Sequence, residues 1–172
     1  MKKILFIIVL VIISGVFCSL QAQTERIKAQ ETKTNKKVKL KGERIFIKYA
    51  EKCLDVMEQT AKDNSVKGVA IISFIPGDQT ESWVSRMKVI GALSSPKANF
   101  LGIASAKASE MAMTLIDSGS KTRSPLNGEL GYKGGAIRKV NGGYIVAAFS
   151  GGPSEIDYKI SEAGLNLISE YY

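Results

Sequence analysis

From Glu43 to about Lys62, apolar residues fall at 46, 50, 53, 54, 57 and 61. That recurrence marks one face of a helix of about five turns, and Asp63-Asn64 ends it. Val66–Phe74 follows as Val-Lys-Gly-Val-Ala-Ile-Ile-Ser-Phe, a nearly continuous apolar run that suits a strand covered on both faces. Beyond the turn residues Pro76-Gly77-Asp78, Glu81–Ile90 alternates. Trp83, Ser85, Met87 and Val89 point one way, and Val84, Arg86, Lys88 and Ile90 the other.

A loop, Gly91–Ala98, precedes a second helix from Asn99 to about Asp117, whose apolar stripe is Phe100, Ala104, Ala108, Met111 and Leu115. Ser118–Lys133 reads as a long irregular segment with a short strand near Leu130–Tyr132. Two β-rich runs, Ala136–Val140 and Tyr144–Phe149, then flank Asn141-Gly142, a hairpin signal because both residues tolerate positive φ. The last element is a helix from Ser154 to about Glu170. Its inner face reads as Ile156, Ile160, Ala163, Leu167 and Tyr171, with Leu165 opposite as the mark of a second contact surface. The order α-β-β-α-(loop)-β-β-α predicts an α+β fold in which helices pack on a mainly antiparallel sheet.

The N-terminus has a different pattern. Lys2-Lys3 precedes the apolar stretch Ile4–Val16, and Ser19-Leu-Gln-Ala22-Gln23 supplies small residues for cleavage, the layout of a secretory signal. Residues 1–23 are therefore expected to be a signal peptide, and the mature chain periplasmic or secreted. Cys18 follows Phe17, where lipoprotein processing wants a small residue. Cleavage leaves Cys53 as the sole cysteine, on the apolar stripe of its helix, where a buried structural thiol is expected.

The formal net charge of +8 is concentrated near the start. Between Thr24 and Arg44, eight Lys/Arg stand against three acids, and the chain from Ile45 onward is close to neutral. Residues 24–43 read as a basic flexible lead-in to a domain at 44–172. The lead-in is a solvated linker or a contact for anionic lipid, cell-wall polymer or another polyanion. It lacks the interleaved aromatics of a nucleic-acid contact.

The chain contains no histidine, which excludes Ser-His-Asp and Cys-His catalysis and His-ligated metals. One mature cysteine excludes a cysteine-built zinc site, and neither a P-loop nor a dinucleotide fingerprint is present. The remaining candidates belong to binding. Lys107 lies about 60° from the centre of the second helix's apolar stripe. It reads either as a boundary lysine snorkelling to water or as a cation aimed at a ligand between helix and sheet. Arg86 shares a strand face with Val84 and Ile90, and reads as a structural ion-pair partner or a carboxylate fork. Ser150-Gly151-Gly152 joins a strand to a helix, either as a tight connection or as backbone N–H groups that face an anion. Ser154-x-x-Asp157 has the spacing of a helix N-terminal cap.

Several of these residues recur in a known pattern. Arg86-Met87, Ile103-Ala104-x-x-Lys107-Ala108, and Gly134-Gly135…Asn141-Gly142…Ala147-Ala148-Phe149-Ser150-Gly151-Gly152…Asp157…Glu162-Ala163-Gly164-Leu165 resemble the GlcG/HbpS-like family of haem-binding and haem-degrading accessory proteins. The resemblance covers most of Tyr49–Ile168. It implies an α/β/α sandwich, profilin-like in outline, with a central antiparallel sheet of about five strands and a tendency to form homo-oligomers. It also implies haem or a related tetrapyrrole as ligand, with Arg86, Lys107, Ser150, Gly151, Gly152 and Asp157 at the matching motif positions. Two departures stand out: the usual axial histidine is missing, and Ser94–Asn99 lacks the family's acidic residue and glycine. Haem would then rely on Tyr, Met or Lys, or on apolar enclosure with propionates on Arg86 and Lys107. The expected function is an exported, non-enzymatic ligand-binding domain. An oligomeric sensor of a small carboxylate or polyanion is the alternative, and a haem-degrading enzyme is disfavoured by the missing histidine.

Overall fold

A computed structural model of the chain describes residues 2–172, with side chains from residue 23 onward. The expected signal segment, Cys18 included, lies outside the described side chains except at Gln23. The chain divides into two units, Met1–Lys37 and Val38–Tyr172. The first helix, α1, has the bounds Lys2–Asp63, so the lead-in expected as a flexible linker is helical. The segment from Thr24 to Lys41 has neither Gly nor Pro and is rich in Lys, a good helix former. Among the described residues, no helix is long and apolar enough to cross a membrane.

The second unit holds β1 (Gly68–Pro76), β2 (Val84–Ile90), a small ribbon of β3 (Ser94–Ser95) and β4 (Ala98–Asn99), α2 (Phe100–Thr114), β5 (Gly135–Val140), β6 (Gly143–Ser150) and α3 (Ser154–Ser169). The main sheet has the order β2-β1-β6-β5, and each neighbouring pair is antiparallel. It has four strands where about five were expected. The extra strand anticipated near Leu130–Tyr132 does not form: Gly131 takes φ +61, and Leu130 and Tyr132 are exposed. The Ser118–Lys133 segment is instead tied by Arg123, whose guanidinium forks onto both Glu129 oxygens at 2.7 Å. The β5–β6 hairpin turns at Asn141-Gly142 as predicted, with Val140 opposite Gly143. Only Gly142 takes positive φ, +97.

Strand alternation divides the interior into two cores. Ala70, Ile72 and Phe74 of β1, with Ile145, Ala147 and Phe149 of β6, pack against α1 and α3. Val69, Ile71 and Ile75, with Val146 and Ala148, pack against Ala104, Ala108 and Met111 of α2. The sheet is therefore covered by two helices on one face and one on the other, an α/β/α arrangement. All six α1 stripe positions, Phe46, Ala50, Cys53, Leu54, Met57 and Ala61, are fully buried.

Helix α3 is rotated from its expected face. Asp157, Ile160, Ser161, Gly164, Leu165 and Ile168 are its buried residues, so Leu165 belongs to the core and marks no outer contact surface. The apolar pattern misleads because two inward residues are polar and matched: Asp157 meets Lys107, and the Ser161 hydroxyl donates to the Gly134 carbonyl at 2.7 Å. Gly164 is inward because α1 crosses there; a Cβ would stand 2.6 Å from Met57 Cγ.

Candidate functional site

The strand–helix junction gathers most of the residues singled out by sequence. The β5–β6 ladder ends at Gly135 opposite Ala148, one residue short of Phe149. There, Lys107 of α2 donates from Nζ to the Phe149 carbonyl at 2.8 Å and to Asp157 Oδ2 of α3 at 2.7 Å. Gly134 makes room for this crossing. At φ +120 it lies in glycine's own region, and a Cβ would stand 2.6 Å from both Lys107 Nζ and Asp157 Cβ.

Asp157 Oδ1 accepts the Gly152 N–H at 2.8 Å, and the Gly151 N–H adds a second backbone donor. The glycine-rich junction is thus an anion site whose anion belongs to the protein itself. Asp157, in the first turn of α3, is also favoured by the helix dipole. The side chains of Lys107 and Asp157 are 3% and 5% exposed. Burial pulls the Lys107 ammonium below its ordinary value while Asp157 opposes the shift. Burial pushes the Asp157 carboxyl up while Lys107 opposes it. Lys107 therefore does not snorkel to water, and it lines none of the cavities described below.

The cap geometry also differs from the Ser154-x-x-Asp157 reading. Pro153 holds the N-cap position without a side-chain cap bond, and Asp157 turns back to Gly152. Ser150, 3% exposed, ends β6 opposite Val69. Lys107, Ser150, Gly151, Gly152 and Asp157 are brought to this one junction. Arg86 is not. It pairs with Ile72 on the sheet face of α1 and α3, and its side chain is exposed.

A second polar knot lies one helical turn along α2. Glu110 is 8% exposed; its Oε1 accepts the Gly119 N–H at 2.8 Å, while its Oε2 has no partner. Nearby, Asp117 takes the Ile137 N–H and the Tyr158 hydroxyl in the wall of a cavity of about 380 Å³. No cluster of three or more Cys, Asp or Glu suited to a metal occurs among the described residues.

The open concavity on the α2 face is elsewhere. A groove of about 390 Å³ runs between α2 and the β1–β2 edge, lined by Ile71, Trp83, Ser85, Gly102, Ser105, Ala106, Ala108, Ser109 and Gly128. It exists because a single helix cannot cover a four-stranded sheet. Helix α2 packs on β1 and β6, leaving the outward side chains of β2 bare. Trp83 and Met87 are 42% and 43% exposed there. On the α2 side, Gly102, Ser105, Ala106 and Ser109 follow i, i+3, i+4, i+7 spacing, so small side chains keep the trough open. That spacing and the single tryptophan are visible in the sequence. Nothing local says that α2 turns its small flank toward Trp83.

Neither Arg86 nor Lys107 lines this groove, so the expected cationic grip on propionates is absent from its walls. The polar side-chain groups of its lining are serine hydroxyls and the Trp83 indole N–H. Compared with protein-family models, with curated proteins and with solved structures, the chain finds no match.

Proposed function

We propose that this chain is a non-enzymatic binding domain that takes a flat, largely apolar ring compound in the groove between α2 and β2. Haem or a related tetrapyrrole, the ligand class implied by the GlcG/HbpS-like resemblance, is the first to test. The observation that carries the reading is Trp83, a large aromatic left half-open over a trough of small residues. A ring stacked there removes apolar surface from water on both partners at about 25 cal/mol per Å². Sites for small molecules typically have this apolar concave form with a few hydroxyls.

The groove fits a ring better than it fits an iron. Its lining residues supply no imidazole, thiolate or phenolate, and the nearest soft donor on the same strand face is the Met87 thioether. Retention would rest on contact with the ring, so a metal-free porphyrin should bind about as well as haem.

Trp83 is the chain's only tryptophan, which makes its fluorescence a reporter of this groove. Titration with haem and with protoporphyrin IX should give saturable quenching near one equivalent, accompanied by a shifted Soret band. Trp83→Ala should abolish the Soret shift, whereas Arg86→Ala should leave it intact. Non-saturable quenching, or a Soret shift unaffected by Trp83→Ala, would remove the groove as the binding site.

A further inference from the structure

The first unit carries a charged face that neither the cores nor the groove uses. At about 100° per residue, Lys33 and Lys37 lie within roughly 20° of Arg26, one on each side. Lys36 flanks them at about 80°. Glu25 and Glu31 lie about 100° and 140° away, so no carboxylate interrupts the line. Residues 23–37 are exposed, and among the described residues no ion pair engages Arg26, Lys33 or Lys37. Lys37 lies eleven positions after Arg26, about 16 Å along the axis at 1.5 Å per residue.

From this line we infer that the Arg26–Lys33–Lys37 face docks on an anionic phospholipid surface. Exposed lysines and arginines along one face of a helix can meet a flat array of phosphates together, and each contributes an attraction that fades within a Debye length. Thr24–Lys37 contains no aromatic residue, so it lacks the stacking platforms that single-stranded nucleic acids use.

The test compares the expected mature chain, from Thr24 onward, with a variant of equal net charge, Lys33→Gln/Lys37→Gln/Gln79→Lys/Asn127→Lys, which moves two cations from this face to two separate exposed loops of the second unit. Binding to phosphatidylglycerol vesicles and to phosphatidylcholine vesicles is measured by co-sedimentation at 0.1 M salt. The native chain should prefer phosphatidylglycerol. The relocated variant should lose at least about tenfold of that preference, because two of the three cations of the line no longer meet the phosphates together and each contributes about 1 kcal/mol near the surface. Raising the salt to 0.5 M should erase the preference in both. Equal binding to the two vesicle types, or a relocated variant that keeps the full preference, would overturn the assignment. A chain that binds polyphosphate in solution but ignores phosphatidylglycerol would overturn it in favour of a soluble polyanion.

Discussion

Removing either member of the Lys107–Asp157 pair should destabilise the domain more than removing both. In Asp157→Asn, the amide oxygen still accepts from Gly152, but the buried ammonium keeps only the Phe149 carbonyl. In Lys107→Met, the carboxylate keeps its glycine N–H donors and loses its countercharge. With side chains 3% and 5% exposed, each single change strands a charge away from water, at a cost of about 3–5 kcal/mol. That is a large share of the roughly 5–15 kcal/mol by which domains are stable. Lys107→Met/Asp157→Asn leaves no buried charge and should cost about 1–2 kcal/mol, less than either single change.

The pKa directions agree with that sign. A lowered Lys107 favours folding above its unfolded value of 10.5, and that contribution is lost as pH falls through the folded value. A raised Asp157 favours folding below its unfolded value of 3.8, and that contribution is lost as pH rises through the folded value. Both shifts disfavour the charged forms, so the pair specifies geometry rather than adding net stability. Urea unfolding of the four proteins at pH 7 reads the differences directly. Additive costs, with the double variant the least stable, would refute the reasoning. Single variants that cost under about 1 kcal/mol would show the junction to be wet.

Gly134→Ala combines a positive-φ penalty with a Cβ set 2.6 Å from Lys107 Nζ, and should lower stability by about 2–4 kcal/mol in the same assay. Burial pushes the Cys53 thiol up to about 12, so a thiol reagent at pH 8 should label Cys53 in the folded chain only at the rate of its opening, and in the unfolded chain at once. Glu58 is held down to about 2 by hydrogen bonds from Lys62 and then Lys88. Its contribution is therefore present above about 4.5 and lost as pH falls through about 2. Carboxyl NMR titration should place its midpoint near 2, and Lys62→Met should move that midpoint upward.

Periodicity alone located every strand of the main sheet, α2, α3 and the C-terminal end of α1 to within a few residues, because each carries its own apolar repeat. The start of α1, at Lys2 rather than near Glu43, was missed because Thr24–Lys41 is polar and has no such repeat. The α1 stripe and the two-faced β1 are clear cases: every α1 stripe position and eight of nine β1 residues are buried. The absence of histidine likewise settled, before any fold was known, which catalytic centres this chain cannot build. The face of α3 and the role of Lys107 were not readable in this way. A lysine or aspartate in a helical pattern counts as outward until its partner is known, and Lys107 and Asp157 lie fifty residues apart. Only the tertiary structure closes that distance, and it turns a glycine-rich motif that looks like a ligand cradle into a seat for the protein's own carboxylate. The groove has the same origin. Small residues on α2 and a tryptophan before β2 are unremarkable separately, and they make a trough because one helix is too narrow to cover four strands.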